Sequence, residues 1–400
     1  MNNETRKETQ VLPKDVRYVG ADDLTLPLFE NQYPVQPMGV SYNSYLILDE
    51  KIAVMDSVDT RAADEWLAKL AHELDGRSPD YLVISHMEPD HSGSILRLAE
   101  KYQEMKLVGN TKTFTMLRQF FGAKAPTDDR LLEVGEGETL PLGAHTLHFM
   151  LAPMVHWPEV MVAYEETEKL LFSADAFGRF GALSRTANAP WAPQARRYYY
   201  NIVGKYGAQV QALLKKAAAL EIKTVCPLHG PVLTGGALAE ALRLYDLWSR
   251  WQSEAPEEIL LAHASIHGNT ARAAELLKQK LEAKGARVTL CDLTTTEVSY
   301  AVASAFYCGK LVLACSTYDG ALFPPMEEFL THLQAKGFRD RSVGLMENGS
   351  WAPAAARLMR AKLEEMKDLR VCGTVVSLRS ALSPANEAQM EALSAELCAK

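Results

Sequence analysis

The C-terminal third of the chain is a strict alternation of strand-like and helix-like segments. The apolar runs ILLAHAS (259–265), RVTLCDL (287–293), LVLACS (311–316), SVGLMEN (342–348) and RVCGTVVS (370–377) are separated or followed by helical periodicity near 270–284, 297–307, 325–336, 354–366 and 384–399. Alternation of this kind over about 145 residues implies an α/β fold with a doubly wound, five-stranded parallel sheet covered by helices on both faces. A ligand of such a sheet sits at the carboxyl ends of the strands.

Upstream, QSEAPEE (252–258) is a polar, proline-containing break that separates residues 1–252 from 253–400. A length of 400 residues with 48% hydrophobic content supports two sizeable cores. The first segment is less regular. Its strand-like runs are SYLIL (44–48), IAVMD (52–56), YLVIS (81–85), KLVGN (106–110), then TLHFML, VMVAY and KLLFS between 146 and 173, and TVCPLHG from 224. Helical periodicity fits 61–73, 94–104, 111–121, one long helix over 194–219, and 237–252, so sheets form the core with helices outside.

The net charge of -8 and the lack of a basic stripe argue against nucleic-acid or anionic-membrane partners. The polar N-terminus MNNETRKETQVLPKD lacks a signal-type apolar stretch, and no run approaches the about 18 apolar residues of a membrane span, so a cytoplasmic protein is expected. Cys226, Cys291, Cys308, Cys315, Cys372 and Cys398 include no C-x-x-C pair, which argues against a disulfide framework, a zinc ribbon or a fused rubredoxin-type iron domain.

Chemistry concentrates in HMEPDHSGS (86–94), directly after YLVIS, on a loop expected to open a helix at Ser94. Pro89 stiffens this loop, and His86, Glu88, Asp90 and His91 project around a common point without a regular period. His156 in APMVHWPE, Asp175 at the end of LLFSAD and His229 in CPLHGP add ligands from other strand ends. Four imidazoles with three carboxylates suffice for two ions sharing a bridging carboxylate. The pattern resembles the metallo-β-lactamase fold, whose usual signature is H-x-H-x-D-H followed by His, Asp and His, and which holds zinc in hydrolases. Here Glu88 stands for the second His. A charged oxygen ligand hardens the site and suits iron cycling between two oxidation states better than zinc.

In the second segment ASIHGNT (264–270) leaves a strand and enters a helix, so the helix-start amides can hold a phosphate. With no Lys or Arg in the loop, the anion is expected on backbone amides and the hydroxyls of Ser265 and Thr270, with His267, Gly268 and Asn269 beside it; this is the manner of flavodoxins. The turns STYDGALFPP (316–325) and ENGSWAP (347–353) are placed to receive a planar ring against Tyr318 and Trp351. Ser316, Thr317, Asp319, Gly320, Asn348, Gly349 and Ser350 complete the expected FMN-binding set.

A β-lactamase-like αββα sandwich carrying H-x-E-x-D-H, followed by a flavodoxin-like domain, resembles the flavodiiron proteins over roughly residues 15–400. The resemblance implies FMN and two non-haem irons per chain. His86, Glu88 and His156 would hold one iron, Asp90, His91 and His229 the other, and Asp175 would bridge them. The histidine at the position of His91 is not a ligand in every member. It further implies reduction of dioxygen to water, of nitric oxide to nitrous oxide, or both. The electrons would come from an external donor such as rubredoxin or a reduced deazaflavin coenzyme. The assembly would be a head-to-tail homodimer or a dimer of dimers in which the FMN of one chain faces the irons of the other. Two ferrous ions and a reduced flavin hold the four electrons that dioxygen needs. The sequence leaves two other readings open: a zinc-dependent hydrolase of the β-lactamase fold, and a flavodoxin-like electron carrier.

Overall fold

The computed structural model describes residues 12–399; residues 1–11 and Lys400, counted in the segments above, lie outside them. The chain forms two compact units: the described part of Met1–Tyr199 with Ala208–Asp246, and Tyr200–Gly207 with Leu247–Lys400 up to residue 399. No helix among the described residues is long and apolar enough to cross a membrane.

The first unit contains two six-stranded sheets. One runs Val16–Tyr18, Tyr45–Ile47, Ala53–Met55, Tyr81–Val83, Lys106–Gly109, Leu131–Glu133; the other runs Thr139–Pro141, Thr146–Leu151, Met161–Glu165, Leu170–Phe172, Thr224–Cys226, Leu233–Thr234. Alternate side chains of both, among them Tyr45, Ile47, Met55, Val83, Leu147, Phe149, Met161, Ala163 and Phe172, meet in one buried core. The two-residue period of a strand puts these on a single face. Helix Ala63–Leu74 presents buried Trp66, Leu70 and Leu74 at four-residue spacing, as an amphipathic outer helix does.

Parallel pairing decides where the loops go. Ala53–Met55, Tyr81–Val83 and Lys106–Gly109 are mutually parallel, as are Leu170–Phe172 and Thr224–Cys226. The loops bearing His86 and Glu88, Asp175, and His229 therefore all leave carboxyl ends of strands.

The structure departs from the sequence expectation in three places. Segment 86–93 is not free of regular period: Pro89–Ser92 forms one helical turn with proline at its first position, which carries Asp90 and His91, and the next helix is Ile95–Lys101. The single helix expected over 194–219 is broken into helix Trp191–Tyr198, a π-turn at Tyr199–Val203, a 3₁₀ turn at Gly204–Tyr206 and helix Gly207–Ala217. The break lets Tyr200 stack on Phe306 at 4.0 Å, and Gly207 accepts the close approach of the Ser249 carbonyl, which a Cβ would meet at 2.3 Å. Finally, part of the polar stretch 252–258 is already strand, because Ala255–Ala264 begins before the apolar run and absorbs its polar start in a register shift between Ala255 and Ile259.

In the second unit the parallel order is Val288–Asp292, Ala255–Ala264, Cys308–Tyr318, Arg341–Asn348, Leu369–Leu378, with a short Ala321–Leu322 strand paired antiparallel to the end of Cys308–Tyr318. This is the 2-1-3-4-5 order of the doubly wound flavodoxin-like sheet, whose switch point lies between its first and third strands.

The loop carrying His229 is held from below by Asn43. The buried Asn43 Nδ2 donates to the Pro227 and Gly230 carbonyls, both at 2.8 Å, while Tyr45 Oη donates to Pro227 O at 2.9 Å. Asn43→Leu keeps the volume but removes both donors, so unfolding by denaturant should show a loss of about 3 kcal/mol.

Candidate functional site

All seven metal-ligand candidates converge at the strand ends of the first unit, in two groups. Ligand atoms of His86, Glu88, His156 and Asp175 lie within 4.8 Å of one another, and so do those of Asp90, His91 and His229. In the first group His156 Nε2 is 3.1 Å from both Glu88 Oε2 and Asp175 Oδ2, and His86 Nε2 is 3.2 Å from Glu88 Oε2 and 3.5 Å from Asp175 Oδ2. In the second, Asp90 Oδ2 is 3.3 Å from His91 Nε2 and 3.2 Å from His229 Nε2. Asp175 belongs to both, since its other oxygen, Oδ1, lies 3.2 Å from His91 Nε2 and 3.6 Å from His229 Nε2.

The ring nitrogens facing away from these groups determine tautomers. His229 Nδ1 sits 2.7 Å from the Ser41 carbonyl, which can only accept, so Nδ1 carries a proton and Nε2 is the nitrogen turned to the cluster. His86 Nδ1 is 2.7 Å from Glu159 Oε1. The Nε2 atoms of His91 and His229 approach to 3.1 Å, a contact that two lone pairs make tolerable only with a cation or proton between them.

No Lys or Arg pairs with Glu88, Asp90, Asp175 or Glu159 among the described residues, although all four are buried or nearly so. Both carboxylate oxygens of Asp90 and Oδ1 of Asp175 are buried without a hydrogen-bond donor. Buried charge left unpaired is costly, so positive charge must reach this cluster from outside the lysines and arginines. The histidines show the same pull. Burial by itself lowers an imidazole, but hydrogen bonds to Asp175 and Glu88 overcome it and lift His156 to about 9. Burial likewise opposes protonation of His86, where its hydrogen bonds to Glu159 and Glu88 prevail and raise it well above the ordinary range. Burial would raise Asp175, yet the charges of His91 and the bond to His156 hold it well below the ordinary carboxylate range. An oxygen- and nitrogen-rich donor set with no sulfur fits two divalent cations of hard to borderline character.

Three groups at the site carried no sequence signal by spacing. Glu159 lies in HWPEV, beside a ligand candidate but outside the H-x-E-x-D-H frame. Tyr198 is buried with its hydroxyl unpartnered and rings 5.5 Å from His229; burial and then the charges of Asp175, Asp90 and Glu88 keep it protonated. Glu30, at the tip of the Leu28–Phe29 and Tyr33–Pro34 hairpin, is an exposed residue whose carboxyl turns in against Glu88; burial and that neighbouring carboxylate push it up to about 7.

The flavin candidates converge separately. A cavity of about 540 Å³ at the carboxyl ends of the second unit's sheet is lined by Ser265, His267, Asn269, Thr270, Ser316, Thr317, Tyr318, Asp319, Gly320, Asn348, Gly349, Ser350 and Trp351, together with Ile266, Ala352 and Ser380. Gly268 does not line it but, at φ +86, supplies the left-handed turn that starts helix Asn269–Ala283. Thr317 spends its hydroxyl on Ala354 N and Ala355 N, capping helix Ala355–Glu364. Ser380 could not be anticipated: it follows the last strand, and only the fold clasps it to Asn348 by two bonds of 3.0 Å. Trp351 is 88% exposed and Tyr318 44%, flat apolar surfaces at the cavity mouth in want of a partner.

Residues 40–230 match the model of the ODP family beta lactamase. The chain is 27% identical over 358 residues to the rubredoxin-oxygen oxidoreductase of Megalodesulfovibrio gigas, covering 87% of each chain. It is 27% identical to the anaerobic nitric oxide reductase flavorubredoxin of Aliivibrio salmonicida, covering 88% of this chain and 72% of that one. The structure of rubredoxin oxygen:oxidoreductase from Desulfovibrio gigas superimposes with a TM-score of 0.90 at 25% identity, covering 98% of this chain and 97% of that one. The flavodiiron protein of Giardia intestinalis does so with 0.88 at 25%, covering 97% and 96%.

The raised histidines set the pH response of metal-stripped protein. An unfolded His releases its proton near 6.5 and His156 near 9, so its stabilising contribution is full below about pH 6.5 and is lost as pH rises through about 9. A cation must displace that proton from Nε2. Chelator-competition affinity for zinc or ferrous ion should therefore climb between pH 6.5 and about 9 and flatten above, while the Tm of stripped protein declines over the same window.

Proposed function

Because this chain is an oxidoreductase of the flavodiiron type, we propose that His86, Glu88 and His156 hold one iron and Asp90, His91 and His229 a second. Asp175 would give Oδ2 to the first and Oδ1 to the second, and FMN would occupy the cavity of the second unit. The observation that carries the reading is the division of Asp175 between two histidine groups. A single-ion site has no use for a carboxylate with one oxygen turned to each of two ligand sets. When bound, the irons and the flavin supply four electrons from their reduced state, enough to take dioxygen to water, or to reduce nitric oxide to nitrous oxide. The chain's own part is to bind and orient. The Nε2 atoms of His86, His156, His91 and His229 would meet the ions once their protons are displaced, the Asn269–Ala283 helix start with the Ser265 and Thr270 hydroxyls would receive the FMN phosphate, and Tyr318 and Trp351 would lie against the ring.

Electrons enter from a separate donor such as rubredoxin or a reduced deazaflavin coenzyme, in the cytoplasm. The working assembly is a head-to-tail pair, or a dimer of such pairs. What supports the pairing is apolar surface on each unit: Ile266, Tyr318 and Trp351 rim the flavin cavity, and Leu24, Leu28 and Met38 are exposed around the hairpin whose Phe29 packs 5.3 Å from His229.

Purified protein should contain two irons and one FMN per chain and consume dioxygen, nitric oxide or both with a supplied donor; stoichiometric zinc without iron, in protein made with iron present, would sink the reading. Glu88→Ala should lose turnover and keep FMN, because the two sites lie in different units. Mixing Glu88→Ala with the double variant Ser265→Glu/Thr270→Glu, which should expel the phosphate, restores roughly a quarter of normal activity if centres form between chains, and none if they form within one.

A further inference from the structure

The four carboxylates of the metal cluster are not distributed evenly between its two halves. Glu159 is 1% exposed, and its Oε1 accepts from His86 Nδ1 at 2.7 Å and from Met87 N at 2.8 Å. Its backbone carbonyl accepts from Asn110 Nδ2 at 2.6 Å, and Asn110 also caps helix Thr111–Phe121, so the residue is fixed from a second side. Its Oε2 is buried without a donor. By direct contact the half containing His86 therefore meets Glu88, Glu159 and one oxygen of Asp175, whereas the half containing His229 meets Asp90 and the other oxygen of Asp175; Asp56, buried near His91, spends its Oδ1 on the Ser85 amide and makes no ion pair with a ring nitrogen among the described residues. The outer nitrogens repeat the asymmetry: His86 Nδ1 has a carboxylate, His229 Nδ1 has the neutral Ser41 carbonyl, and His91 Nδ1 has no partner among the described residues.

We infer that Glu159 is a positioning residue acting through His86, and that it makes the ion held by His86, Glu88 and His156 the more tightly bound of the two and the more readily oxidised. The inference rests on the proposed metal centre. The physical reason is twofold. An acceptor that fixes the proton on Nδ1 keeps Nε2 bare and aimed at the ion, and an anionic acceptor also makes the imidazole a stronger donor, as outer carboxylates of histidine ligands do. A buried carboxylate with no Lys or Arg partner and one oxygen unsatisfied is costly unless nearby positive charge offsets it. With the proposed centre filled, the ion beyond His86 would be that charge. A carboxylate kept only to bond Met87 N needs no charge, since a glutamine oxygen does that equally well.

The test is stepwise competition of metal-stripped protein with a chelator, using cobalt(II) and zinc(II), for wild type, Glu159→Gln and Glu159→Asp. Wild type should take up two equivalents with separable affinities. Glu159→Gln should weaken the tighter equivalent by about ten- to a hundredfold, leave the weaker one within about threefold, and raise the midpoint potential of one iron in iron-loaded protein followed by electron paramagnetic resonance. Unchanged affinities, or equal weakening of both equivalents, overturns the inference and leaves the metal centre standing. Uptake of fewer than two equivalents by wild type overturns the metal centre and the inference together. Should Glu159→Gln fail to fold, Glu159→Asp decides, because it keeps the charge but withdraws it from Nδ1. The same one-equivalent weakening is expected there, and unchanged affinities overturn the role.

Discussion

The cluster around Asp175 is the constraint to which the rest of the first unit answers. Four carboxylates and four histidines share a largely buried volume, with no lysine or arginine among the described residues to neutralise them. Such an arrangement is expensive in isolation and tenable only when histidine protons or metal cations balance it. The surrounding structure reads as the means of holding these groups against their repulsion. Parallel strands deliver three of the loops to one edge, Asn43 and Ser41 clamp the His229 loop, and Asp56 Oδ1 accepts from Ser85 N at 2.7 Å to fix the backbone just before His86.

Glu88 changes the charge of the first group relative to the H-x-H-x-D-H frame. Where an imidazole would leave Asp175 as the one carboxylate of the first group, Glu88 adds a second and brings negative charge within 3.2 Å of two histidine nitrogens. Harder, more anionic coordination favours the higher oxidation state of a redox metal. The hydrolase alternative would have left the second unit's cavity without purpose; its polar floor of Ser265, Thr270, Ser316 and Asn348 and its exposed aromatic rim fit a ligand that is anionic at one end and flat at the other.

The two units solve different problems with the same rule. Each places chemistry where strands end, because strand interiors are consumed by hydrogen-bonding ladders and side-chain packing, and only the following loops have backbone amides and side chains to spare. In the second unit those amides start a helix; in the first the loops carry the clustered carboxylates and imidazoles.

What the sequence determined by itself was whatever has a short period or a local motif. Strict alternation after residue 258 pointed to a parallel sheet covered by helices, and five strands are too few to close an eight-stranded barrel, which leaves the open doubly wound form. H-x-E-x-D-H pointed to four members of the cluster, and His156, Asp175 and His229 were legible because each follows or adjoins a strand-like run. Local pattern could not show that 194–219 breaks at Tyr199, because the π-turn answers to packing of Tyr200 on Phe306, more than a hundred residues away. Nor could it show Glu159 under His86, Glu30 against Glu88, or Ser380 clasped to Asn348, for these contacts join groups without a shared period. The division of Asp175 between two ligand groups was likewise decided only in three dimensions. Its two oxygens lie about 2 Å apart by covalent geometry, and which histidines each one meets depends on how the second sheet is set against the first.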